Sequence, residues 1–182
     1  MPSKSRKNAT KTRVSSSILP TLLYALQENK GSHSYVGVTN NFERRLREHN
    51  GLAGKKRGAR YTRRAQPAKP GKPNWSPIFR VTGLPTRRQA LQFEKLFHRG
   101  FRGRRLIMVP SKERNPFGSS AAARRAWHLY WALKKERFSR QQTVLTKHLS
   151  LKVEWLRKDF YKVARKLTEW GPGSVQHVLV SS

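Results

Sequence analysis

Apolar positions fall into short runs and helically spaced runs, separated by polar stretches rich in glycine and proline. Leu22 to Leu26 (LLYAL) and Ser34 to Thr39 (SYVGVT) are two short apolar runs. QENKGSH, with Gly31, joins them as a turn, so the pair predicts a β-hairpin. NFERRLREHN then places Phe42 and Leu46 on one helix face, with Asn40 or Asn41 to cap its start and Gly51 just past its end. Ile78 to Thr82 (IFRVT) reads as a third strand. Thr86, with Gln89 three residues later, forms a capping box for a second helix whose apolar side carries Leu91, Leu96 and Phe97. Residues 119–138 have an alanine-rich start and then Trp127, Tyr130, Trp131 and Leu133, which predicts a third helix. Leu149 to Trp170 reads as a last amphipathic helix bearing Leu151, Trp155, Leu156, Phe160, Val163 and Leu167.

These elements divide the chain into a basic extended arm (1–18), a compact unit (19–105) with a long basic loop (51–77), a helical extension (106–170) and a tail (171–182). The class is α/β (α+β): a small three-stranded sheet with flanking helices, then the helical extension. No apolar run is long enough to span a bilayer, and there is no secretory h-region. The arm is acid-free, as a mitochondrial presequence is, but it has no apolar face. The expectation is a protein of nucleus or mitochondrion, not secreted.

Charge narrows the partner. The chain of 182 residues has 40 Lys and Arg against 9 Asp and Glu, a formal net charge of +31. Such an excess calls for a polyanion, and nucleic acid fits better than a membrane surface, for which no basic amphipathic anchor exists. No acid lies between Glu48 and Glu94, while Lys55, Lys56, Arg57, Arg60, Arg63, Arg64, Lys69, Lys72, Arg80, Arg87 and Arg88 do. Of these Lys55, Lys56, Arg57, Arg60, Arg63, Arg64, Arg87 and Arg88, with Arg44, Arg47, Arg102, Arg104 and Arg105, are the candidate phosphate contacts. Tyr61 and Trp75 read either as base-stacking residues within this basic stretch or as two loop aromatics. Trp127, Tyr130 and Trp131 read as packing. GLAGKKRG lacks the spacing of a P-loop. Without cysteine there is no disulfide and no thiolate metal site.

One constellation points to chemistry. Tyr35-Val36-Gly37, Arg45 ten residues after that tyrosine, His49-Asn50-Gly51 and Glu94 on a predicted helix resemble the core of the GIY-YIG nuclease superfamily, closest to its Slx-type structure-specific endonuclease subunit. LLYAL, FRVTGLPTRRQALQFEKLF and SLKVEWLRKDF extend the resemblance over roughly residues 19–160. It implies phosphodiester hydrolysis with Glu94 ligating Mg2+ or Mn2+, Arg45 clamping the phosphate, Tyr35 orienting or deprotonating water, and His49 sharing the proton transfer. In one register the first motif falls on Leu19-Pro20-Thr21, without its glycine and tyrosine. In a shorter register Leu22-Leu23-Tyr24 takes its place, which makes Tyr24 a candidate. The two registers put the side chain on opposite strand faces, so the sequence leaves the role of Tyr24 open. The zinc-binding RING-like domain of the Slx-type family, which docks a scaffold subunit, cannot be built without cysteine, so no zinc is expected.

Each candidate also has a structural reading: Glu94 as partner of Lys95 or Arg88, Arg45 as a further phosphate anchor, Tyr35 as core filler, His49 as a helix C-terminal cap. Two functions follow. The first is a metal-dependent nuclease acting on branched or flapped DNA, with a scaffold protein as possible partner. The second is an inactive relative that binds structured RNA among ribosomal neighbours, in a cytosolic or mitochondrial ribosome. The extreme charge, the basic arm, the missing first-motif residues and the missing zinc domain favour the second; the four motif positions that remain together put the first ahead.

Overall fold

The computed structural model describes residues 20–29, 33–54, 58–64, 73–101, 113–138 and 146–180. The predicted hairpin is present: β1 (Leu22–Glu28) pairs antiparallel with β2 (Ser34–Thr39), Tyr24 opposite Gly37. Helix α1 (Phe42–His49) follows, capped by Asn41, whose side chain accepts from the Arg44 amide. A short helix α2 (Arg60–Arg64) and strand β3 (Trp75–Thr82) come next, then α3 (Arg87–Phe101), where Thr86 Oγ1 accepts the Gln89 amide at 3.2 Å as the capping box requires.

The α/β class holds, but the sheet is larger than three strands. After α4 (Ala121–Leu133), β4 (Ser150–Trp155), α5 (Lys158–Ala164) and β5 (Ser174–Leu179) complete a five-stranded sheet of order β2-β1-β3-β4-β5. β4 runs antiparallel to β3, and β5 parallel to β4. The predicted last helix is therefore corrected to strand plus helix. Leu151 and Trp155 have a spacing that suits a helix, but Val153 between them makes the alternation of a strand, and all three are buried. The supposed tail contributes the edge strand β5.

The loop 51–77 is likewise not wholly irregular, since it contains α2 and the start of β3. Pro77 is tolerated inside β3 because the register with β1 shifts there: Phe79 faces Ala25 while Pro77 faces Leu26, leaving Ile78 as a bulge. β4 pairs only with Phe79 to Thr82, so no partner on that side needs the amide proline lacks.

Two apolar clusters lie on the sheet. The larger gathers Leu23, Ala25, Val36, Phe79 and Val81 with Phe93 and Phe97 of α3, Ala126 and Leu129 of α4, and Trp155. Leu91 does not join it; at 37% exposure it points to solvent. Trp127 and Tyr130 are buried and stacked, in keeping with packing. The smaller cluster holds Tyr24, Leu26, Phe42 and Trp75, with Leu22, Tyr35 and Leu46 against it. Alternation along β1 splits Tyr24 from Leu23 and Ala25, so the smaller cluster lies under α1.

Candidate active site

β1 and β2 deliver two tyrosines to the face under α1. Tyr24 is fully buried, and its ring lies 6.2 Å from that of Tyr35 and edge-on to Phe42 at 5.6 Å. The ring fits because its cross-strand neighbour is Gly37. A Cβ at Gly37 would stand 2.5 Å from the Tyr24 hydroxyl and 2.9 Å from the Tyr35 ring. The glycine of Tyr35-Val36-Gly37 is therefore the floor on which Tyr24 rests.

α1 brings Arg45 and His49, one turn apart, over this floor. The Tyr24 hydroxyl is 2.8 Å from His49 Nε2, and Arg45 Nε donates to it at 3.4 Å. His49 Nδ1 is 2.8 Å from Thr62 Oγ1, whose own proton goes to the Ala59 carbonyl at 2.9 Å. That oxygen can only accept from His49, so Nδ1 carries the hydrogen and Nε2 presents its lone pair to Tyr24. Burial first, and the Arg45 charge second, hold the His49 imidazole at a pKa of about 4, so it is a neutral base near pH 7. Burial also pushes the Tyr24 phenol well above its ordinary range, aided by Tyr35 and opposed by Arg45. The Tyr35 phenol is raised for the same reason, again with Arg45 opposing.

Glu48, which sequence reasoning passed over, fixes Arg45. It is buried and accepts from Arg45 Nη1 at 2.6 Å and from Arg44 Nη1 at 3.2 Å. Burial works against the Arg45 charge, but its bonds to Glu48 and Tyr24 outweigh that and raise its pKa. Asn50 belongs to the motif, but its role was not foreseen. Its Oδ1 accepts the Asn74 and Trp75 amides at 2.8 and 2.7 Å and its Nδ2 donates to Trp75 O, clamping the end of α1 to the start of β3. Asn50, not His49, is the C-cap residue. Thr62 was missed too; 13 residues from His49 in a basic stretch, it gave no signal.

Glu94 lies half-buried on α3 and its charge acts on both phenols. Tyr24, Tyr35, Arg45 and His49 thus meet between the hairpin and α1, and the Glu94 charge on α3 raises both phenols further. The register left open by the sequence is resolved: Tyr24 points into this group. Among the described residues no three His, Cys, Asp or Glu side chains gather as a metal cage. The carboxylate of this group that could hold an ion is the hard one of Glu94. That suits an ion such as magnesium or manganese, which keeps water and phosphate oxygens in its shell.

Of the candidate phosphate contacts, Arg44 and Arg47 line an exposed cleft of about 490 Å³ beside α1 with Asn41, Glu43 and Leu52. Arg60 and Arg63 are exposed on α2, and Arg87 and Arg88 on the first turn of α3. Lys55, Lys56, Arg57, Lys69, Lys72, Arg102, Arg104, Arg105, the arm 1–18 and the side chain of Arg64 lie outside the described residues. Trp75 is buried and donates Nε1–H to Thr62 O, so it stacks no base; Tyr61 remains 48% exposed.

Comparison with known proteins agrees with this geometry. Residues 20–105 match the family model described as the GIY-YIG catalytic domain. The structure-specific endonuclease subunit SLX1 of Malassezia globosa is 37% identical over 95 residues, covering 52% of this chain and 19% of that protein. An uncharacterized protein of Acanthamoeba polyphaga mimivirus is 34% identical, covering 39% and 38% of the two chains. Candida glabrata SLX1, also named a structure-specific endonuclease subunit, is 38% identical over 82 residues, covering 44% and 24%. The chain thus spans well under half the length of the curated relatives it matches. The matched stretch 20–105, a little under half of the chain, is a GIY-YIG domain.

Proposed function

We propose that this protein is a divalent-metal-dependent endonuclease that hydrolyses phosphodiester bonds in branched or flapped DNA. One observation carries the reading: the Tyr24 hydroxyl, which a first-motif tyrosine would supply, is held between the neutral Nε2 of His49 and the Arg45 guanidinium. The names of the two SLX1 relatives support a substrate selected by its shape and a role as subunit of a complex. A ribosomal role has no support in the relatives above.

The proton path follows from the tautomer. Water attacks phosphorus and the bond from phosphorus to the leaving oxygen breaks. Tyr24 is fully buried at rest, so the substrate first parts the residues over its hydroxyl. The Tyr24 oxygen then takes the proton of the attacking water while its own proton passes to His49 Nε2. Because burial keeps Tyr24 protonated at rest, the two transfers are concerted. Thr62 holds the imidazole in the accepting tautomer. Arg45, braced through Nη1 by Glu48, offers its Nη2 to a non-bridging oxygen. Tyr35 lines the water side of the site. A magnesium or manganese ion held by Glu94 would supply charge neutralisation at the phosphate and the leaving oxygen.

The test is a nicking assay on a flapped duplex and on a linear duplex of equal length, with and without magnesium or manganese. Expected is cleavage of the flap alone, dependent on metal and abolished by Glu94→Gln with binding retained. Tight binding by the wild-type protein without cleavage in either metal would overturn the reading.

A further inference from the structure

A second cationic surface lies at the far edge of the sheet. The catalytic group sits at the β2–β1 end, and the order β2-β1-β3-β4-β5 puts β5 four strand spacings away, about 19 Å at ~4.8 Å each. There α5 packs on β4 and β5. Lys158, Lys162, Arg165 and Lys166, with Tyr161 and Leu179, line a cleft of about 480 Å³. All four cations are exposed. Their spacing (i, i+4, i+7, i+8) puts them on one side of the helix and the turn after it. Among the described residues none of the four meets a carboxylate, and Asp159, the acid of α5, is turned to Arg157 Nε at 3.0 Å. The Arg165 guanidinium lies over the Tyr161 ring at 5.9 Å, which holds one cation in place.

The row is long enough to follow a stretch of phosphate backbone. Eight residues of helix advance about 12 Å. One strand of a duplex adds a phosphate about every 3.4 Å of its axis, so four cations laid along the axis over that length span three to four phosphates. A branched nucleic acid has a second arm to place, and this surface lies at the far edge of the sheet, on the α3–α4 face rather than under α1. We propose that the α5 cleft binds the sugar-phosphate backbone of a second duplex arm of the molecule held at the tyrosine site. The proposal rests on the branched-substrate reading above.

The experiment measures binding of the full chain to a three-way DNA junction and to a linear duplex across salt concentrations. It compares wild type with K158Q/K162Q/R165Q/K166Q, and with K158Q/K162Q, which leaves the Arg165–Tyr161 contact intact. For the junction, the slope of log K against log salt is expected to flatten by about 0.9 for each phosphate that is no longer neutralised. That is roughly three in the fourfold variant and half that in the double variant, with affinity falling tenfold or more. The linear duplex changes less than threefold. Unchanged junction slopes overturn the proposal, as do equal reductions on both DNAs. So does intact junction binding combined with abolished binding of a poly-glutamate peptide, which would make the face a dock for an acidic protein. The cleavage reading is judged separately: a wild type that never cuts, but whose junction slope depends on α5, sinks the nuclease and keeps this surface.

Discussion

Thr62 accepts a hydrogen bond from His49 across 2.8 Å, and that contact decides which imidazole nitrogen faces Tyr24. A methyl in place of the hydroxyl leaves Nδ1–H unsatisfied in a buried site and frees the ring to adopt the other tautomer. Thr62→Val is expected to lower the single-turnover rate at saturating DNA about 10- to 100-fold with KM little changed, since general base catalysis is worth about 10²–10⁴-fold. Thr62→Ser restores it. Equal reductions in both variants would mean that Thr62 serves packing alone.

Gly37 sets the position of the Tyr24 ring. A methyl there would lie 2.5 Å from the hydroxyl and 2.8 Å from the ring carbon bearing it, and the ring is enclosed. Gly37→Ala is expected to cost about 1–3 kcal/mol in chemical denaturation, the usual range for overpacking. It should also reduce cleavage more than binding. Wild-type cleavage would show that the ring can move without consequence.

Glu48 holds the arginine fork through the two bonds to Arg45 and Arg44. Glu48→Gln keeps the shape and removes the charge. Because the Arg44 end is half exposed, the stability decrease should be modest, about 1 kcal/mol. Cleavage should fall about tenfold as Arg45 is freed from its fixed orientation. Arg45→Lys, with no planar fork, should fall further, about 100-fold. Rates near wild type in both would show that the phosphate is held elsewhere.

Three histidines make stability depend on acid pH. Burial holds His49, His128 and His177 at about 4, below the ordinary 6.5. Between 6.5 and 4 the unfolded chain therefore binds more protons than the folded one. The contribution is complete above about 6.5 and is lost as pH falls toward 4. An upper limit is ~3 kcal/mol for each, which partial exposure reduces to on the order of 1 kcal/mol. Urea midpoints should be level above pH 7 and fall steadily from 6 to 4.5, less steeply in His177→Gln. Level midpoints throughout would contradict the burial of these rings.

The hairpin, α1, β3 and α3 were legible because each has a local signature: alternation, a cap, a capping box. β4 was not, because Leu151, Trp155 and Leu156 also satisfy a helical period, and only pairing with β3 decides between the two. β5 pairs in parallel with β4 across α5, a long-range choice that no short window of sequence contains. Within the site, Tyr35, Arg45, His49 and Glu94 could be named from the resemblance their motif carries. Tyr24 could not be placed, since its face follows from the register with Gly37. Glu48 was hidden among arginines, as an acid on a basic helix ordinarily pairs with whatever is near. Thr62 and Asn50 act through contacts formed only once the loop folds back on α1.

The most direct test is the single-turnover rate of Tyr24→Phe on a flapped duplex in magnesium, at saturating protein. The variant keeps the ring on Gly37 and removes only the hydroxyl between His49 and Arg45. A rate lowered about 10²–10⁴-fold with unchanged DNA affinity is the expected result. Cleavage by Tyr24→Phe at the wild-type rate would contradict the assignment of Tyr24 as the hydroxyl through which the proton passes.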